Sequence, residues 1–81
     1  MVIIKDVLQH LPNKDVSIVL EKIKKYKYCI ITNDYTGDIC GDINIGEWRP
    51  INVLLSPFNI NGIAMYGYIG KQVILWQPKK A

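Results

Sequence analysis

Alanine occurs only twice in the 81 residues of this chain, against fourteen isoleucines, so the usual helix filler is nearly missing and β-branched side chains stand in its place. A β-rich core is expected. Metal-ligating residues are equally scarce: a single His10 and two cysteines, Cys29 and Cys40, without ligand spacing, which argues against zinc and leaves no metal or cofactor to be expected. No apolar run approaches the ~20 residues needed to span a bilayer. No basic-then-apolar leader opens the sequence either. The expectation is a cytoplasmic protein with reduced thiols and no membrane partner. Linkers, repeats and low-complexity segments are also missing. A chain this short buries only about 60% of its unfolded surface, so residues 1–81 should form a single domain around one core.

The hydrophobic pattern divides the chain. In "MVIIKDVLQHLP", Ile4, Val7, Leu8 and Leu11 follow i, i+3, i+4, i+7 and predict a helix ending before Pro12. Residues 14–25 fit two periods: Val16, Val19, Leu20 and Ile23 suit a helix that Asn13 could cap, whereas Val16, Ile18 and Leu20 suit a strand. From Tyr26 onward strand and turn signals dominate. "YCIIT" reads as a strand, Ile39, Gly41, Ile43 and Ile45 share one face of another, "INVLL" resumes, and "SPFNING" is a loop. "AMYGYI" and "QVILWQ" form a closing hairpin, with Gly70 at the first position of a type II′ turn followed by Lys71. The last strand carries Val73 and Leu75 on one face and Ile74 and Trp76 on the other, more apolar surface than a lone hairpin can bury. The predicted fold class is α+β, mainly β: an N-terminal helix followed by an antiparallel sheet of about four or five strands.

Charge points to a second theme. The net charge is +3, and Lys22, Lys24, Lys25 and Lys27 cluster with Tyr26 and Tyr28 in "EKIKKYKY". Cations beside aromatic rings suit single-stranded nucleic acid, since lysines hold phosphates while rings stack on bases. Weighed against this is a solvated face on which lysine discourages edge-to-edge aggregation. Asp34, Asp38 and Asp42 lack the alternate-position spacing of a calcium loop and read as turn formers. Cys29 and His10 have no recognisable orienting group or oxyanion site, and no glycine turn has phosphate-loop spacing, so no catalytic residue is assigned. No enzyme is expected.

The hairpin "YIGKQVILWQP" resembles the second signature of the Sm-like proteins, the family of the Sm and Lsm proteins and the RNA chaperone Hfq, through Tyr68, Ile69, Gly70 and Val73. Gly41, Ile43, Glu47 and Asn52 are similar to the first signature, with one residue inserted before Asn52. A rival register aligns "DVLQHLPNKDVSIVL" with the family's helix and first strand and places Asp34 in its acidic loop. The resemblance implies a strongly bent five-stranded sheet or small open barrel, a ring of copies and binding of single-stranded RNA. The sequence departs from the family at Ile69, where an arginine is usual. Lys71 stands near enough to supply that charge, and Trp48 and Arg49 fall where a base-stacking residue is found. The candidate nucleic-acid site is therefore Lys24, Lys25, Tyr26, Lys27, Trp48, Arg49, Asn52, Gly70 and Lys71. A core or interface role for Trp48 is the competing reading.

Two functions compete. One is an oligomerising module that binds single-stranded RNA. The other is a protein-binding or inhibitor module of viral or mobile-element type, in keeping with abundant Ile, Lys and Asn, which point to an AT-rich coding sequence.

Overall fold

The computed structural model describes residues 1–38 and 41–78. Strand β1 (Val2–Lys5) is followed by a short 3-10 helix (Leu8–His10), helix α1 (Asn13–Ile23), strand β2 (Cys29–Asp34), a long irregular segment, and the strands β3 (Gly62–Tyr68) and β4 (Lys71–Trp76). The four strands form one mixed sheet in the order β1-β2-β4-β3. The protein is α+β, with most of its regular structure in the sheet.

The first departure from the sequence reading is at the N-terminus. Residues expected to open a helix instead form β1, which pairs parallel to β2 with Val2 opposite Cys29 and Ile4 opposite Ile31. A four-residue strand gives almost no local signal. It is stabilised by a partner lying 27 residues further along the chain. Only Leu8–His10 of the expected helix is helical, as one 3-10 turn. Because a parallel pair needs a long crossover, α1 supplies the connection, and the sheet is not wholly antiparallel.

The ambiguous segment is a helix. Val16, Leu20 and Ile23 are buried along one face while Ile18 is exposed, so the 3.6-residue period prevails over the alternating one. Pro12 precedes the first turn, and its carbonyl accepts hydrogen bonds from the N–H groups of Asp15 and Val16. Asn13 is not the cap. The N–H of Asn13 donates instead to Asp42 Oδ1 at 2.8 Å, so a carboxylate 29 residues distant satisfies an orphan donor of the helix N-terminus.

The helix lies on one face of the sheet. Val16, Leu20 and Ile23 join Leu8, Cys29, Ile31, Ile74 and Trp76 in the core, completed by Ile51 and Val53 from the irregular segment. Expected strands at 41–45 and 51–55 are coil and turn; Ile39 and Cys40 lie outside the described residues. Ile51 and Val53 are still buried, and single backbone bonds tie them down, from Ile51 N–H to the Asp34 carbonyl and from Ile60 N–H to the Val53 carbonyl. The apolar residues of 51–53 were therefore a burial signal without a ladder.

The expected β3–β4 hairpin is present, but its turn lies one residue earlier. Tyr68 pairs with Lys71, leaving Ile69 and Gly70 as the loop, both with positive φ (44° and 76°), the pattern of a type I′ turn. Packing explains the register. Gly62 is thereby set against β4 on the helix side, where a Cβ would lie 2.7 Å from Ile74 Cγ2, while Tyr66 and Tyr68 go to the opposite face. A bulge between Ala64 and Tyr66 absorbs the odd residue.

Candidate binding surface

The second face of the sheet is the one the helix does not cover, and the strand registers determine what it displays. Ile3 on β1 stands beside Ile30 on β2, Ile30 beside Leu75 on β4, and Leu75 beside Ile63 on β3. Four branched apolar side chains thus form a row across all four strands, roughly 14 Å long at the usual strand spacing. Ile3 and Ile63, at its ends, are 65% and 66% exposed. The next row holds Lys5, Thr32, Val73 and Tyr66, of which Tyr66 is 61% exposed. Beside it the Tyr66 and Tyr68 rings lie 6.0 Å apart and tilted.

The third row is ionic. Lys71 Nζ donates to Asp6 Oδ1 and to Asp34 Oδ1, each at 2.7 Å. Asp34 is held further by Gln9, whose Nε2 donates to Oδ2 at 3.1 Å while its Oε1 accepts the Asp34 backbone N–H at 2.6 Å, and by Trp48, whose Nε1 donates to Oδ2 at 3.1 Å. The hydrogen bond from Lys71 holds the Asp34 carboxyl below the usual carboxylate range, and the same bonds raise the Lys71 ammonium above the usual lysine range. The cluster fastens the 3-10 helix, the ends of β1 and β2, and the start of β4 together. Its charges answer one another: Lys5 and Lys71 stand against Asp6 and Asp34, so this end of the face is neutral on a chain of net charge +3.

The candidate residues proposed from sequence fall into separate places. Lys24, Lys25, Tyr26 and Lys27 connect α1 to β2, with the Lys25 ammonium 5.4 Å from the Tyr26 ring centre and that of Lys27 5.5 Å from the Tyr28 ring centre. Trp48, Gly70 and Lys71 lie at the far end of β2, roughly 16 Å away along the strand. Trp48 is exposed, but Lys71 is bound by two carboxylates. Arg49 and Asn52 are buried. The Arg49 guanidinium donates to the Leu8 carbonyl (3.0 Å), the Gly41 carbonyl (3.2 Å) and Asn13 Oδ1 (2.7 Å), tying the irregular segment to α1. Asn52 Nδ2 donates to the Thr36 carbonyl, and its Oδ1 accepts the Leu54 N–H.

Sequence reading did not name Ile3, Ile30, Ile63 or Tyr66, although apolar residues on both faces of the last strand already implied that a second face needed cover. A stronger signal was present: from Pro50 to Gly70 the chain runs 21 residues without a charge. That stretch contains all of β3, whose residues are largely exposed. An exposed edge strand is ordinarily guarded by charge.

On the helix side, Ser17, Leu20, Glu21, Phe58, Asn59 and Trp76 help line an open groove of about 380 Å³. Among the described residues no group of three His, Cys, Asp or Glu side chains could hold a metal ion, and no helix is long and apolar enough to cross a membrane. No protein-family model, curated protein or solved structure matches this chain.

Proposed function

We propose that this chain is a non-catalytic protein-docking module whose working surface is the open face of its sheet. The observation that carries this reading is the row Ile3, Ile30, Leu75 and Ile63, in register across four strands with its ends exposed. Exposed apolar residues scattered singly are ordinary; a contiguous row on a rigid sheet marks a surface that another macromolecule covers. Its local charge is balanced, which suits a protein surface better than a phosphate backbone. A cytoplasmic setting accompanies the reading, with Cys29 a buried free thiol whose pKa burial raises, and which is therefore inert.

A second reading is the Sm-like one, a more strongly bent five-stranded sheet closing a ring of copies around single-stranded RNA. Its support is the pairing of Lys25 with Tyr26 and of Lys27 with Tyr28, together with the Tyr66 and Tyr68 rings, a combination of cations and stacking surfaces.

One experiment separates the two. Peptides selected by display for binding to the folded protein should shift the backbone amides of Ile3, Ile30, Ile63 and Leu75, and Ile63→Lys should abolish the shifts. A labelled oligouridine should leave those amides unmoved at low salt. Peptide shifts confined to the helix side would refute docking at the open face. Salt-sensitive oligouridine binding that moves Tyr26 and Tyr28 would establish the second reading instead.

A further inference from the structure

We infer that the partner seated on the open face is a second copy of this chain, the two sheets packed face to face about a twofold axis; this rests on the docking reading above. Three features of the face single out this occupant. The first is self-complementarity. A straight apolar row with exposed isoleucines at both ends, Ile3 on one edge strand and Ile63 on the other, matches its own image when rotated by a half turn, as an isologous interface requires. Two such faces meet at the ~10 Å spacing of packed sheets, where branched side chains interdigitate.

The second is charge. Two molecules of net charge +3 repel each other, so a self-interface must be neutral where they touch. At the ionic end of this face it is: Lys71 is bound to Asp6 and Asp34, and Lys5 completes the balance. An acidic partner would find no excess positive charge there. The lysines at 22–27 that carry such an excess sit on the end of α1 and the connection to β2.

The third is size. With Ile30 and Leu75 half-buried between them, the exposed parts of Ile3, Ile63, Tyr66 and Tyr68 amount to about 450 Å² per copy, or about 900 Å² for a pair, which is below the ~1,200 Å² of standard specific interfaces and in the range of weak, transient ones. The dimer is thus expected to be weak, to form only toward high micromolar concentration and to dissociate on dilution. Tyr66 and Tyr68, beside the row, supply the aromatic groups that such interfaces favour.

Sedimentation equilibrium of the whole chain from low to high micromolar concentration tests the inference. Wild type should shift from monomer to dimer. An Ile3→Lys/Ile63→Lys variant should remain monomeric with an unchanged circular dichroism spectrum, since both positions are largely exposed and folding does not depend on them. Amide shifts on concentrating the wild type should map to the open face. A wild type that stays monomeric, a dimer that survives the double substitution, or concentration shifts on the helix side would each overturn the second copy as occupant. The peptide-mapping experiment then decides separately: open-face peptide shifts with a monomeric wild type keep the docking reading and reject only the homodimer. An oligouridine that shifts the same row rejects both.

Discussion

Ile69 sits where an isoleucine should not. It occupies the first position of the β3–β4 turn with φ 44°, and it is 95% exposed. A left-handed backbone costs an L-residue roughly 1–2 kcal/mol because Cβ crowds the following carbonyl, and β-branching adds to the crowding. Nothing offsets this cost, because almost none of the side chain is buried. Asparagine is the preferred residue at this position of a type I′ turn, and it tolerates the left-handed region. Ile69→Asn should therefore stabilise the fold by about 1 kcal/mol, which for a domain of this size corresponds to a rise of about 4–8 °C in Tm. Gly70→Ala, one residue on at φ 76°, should act with the opposite sign, losing about 1 kcal/mol, because there a Cβ is introduced where none strains the turn now. The assay is thermal unfolding followed by circular dichroism at a low concentration where light scattering finds one species for all three proteins. An Ile69→Asn protein that melts at or below the wild-type temperature would refute the turn assignment and the strain argued from it.

Arg49→Met keeps a long side chain but removes the donors that satisfy two backbone carbonyls and Asn13, so urea unfolding should show a loss of about 3 kcal/mol; a loss under about 1 kcal/mol would mean that water replaces the guanidinium without penalty. Asp34 and Asp42 both have lowered carboxyl pKa values, the first through the hydrogen bond from Lys71 and the second through the N–H groups of Asn13 and Ile43. Their contribution is complete above the unfolded carboxyl value of about 3.9 and is lost as pH falls through the lower folded values, so the urea midpoint should drop below about pH 4. Asp34→Asn should make that acid limb shallower while leaving the share of Asp42, and an acid limb of unchanged steepness would show that the Lys71 bond does not form. The raised pKa of Lys71 has the converse sign: its contribution is complete below the ordinary lysine value of about 10.4 and disappears only as pH rises past it.

Where local pattern and tertiary context agreed, the fold was legible. The run "YCIIT" became β2 and the closing pair of apolar segments became β3 and β4, because alternation and a glycine turn act within a few residues. The excess of isoleucine over alanine was a sound guide to a mainly β domain, though helix α1 and the irregular segment supply much of its core. Val16, Val19, Leu20 and Ile23 carried a helical stripe through a β-branched segment, and a competing strand pattern shared Val16 and Leu20. No propensity argument could choose between them. The choice was made by the sheet, whose helix side is already a completed layer that needs a cover and not another strand.

The candidate site was legible only in fragments. Arg49 and Lys71 looked like free cations in sequence; each is engaged by partners far along the chain, at Leu8, Asn13 and Gly41 for one and Asp6 and Asp34 for the other. Strand β1 was invisible because its stabilising neighbour is β2, reached only through a helix. By itself the sequence determined one core, a β-rich composition, the hairpin, and an uncharged stretch from Pro50 to Gly70. Only the tertiary structure decided which residues share a face. A row such as Ile3, Ile30, Leu75 and Ile63 draws one residue from each of four strands, and its members meet through hydrogen-bond register across the sheet, a relation that no spacing along the chain can express.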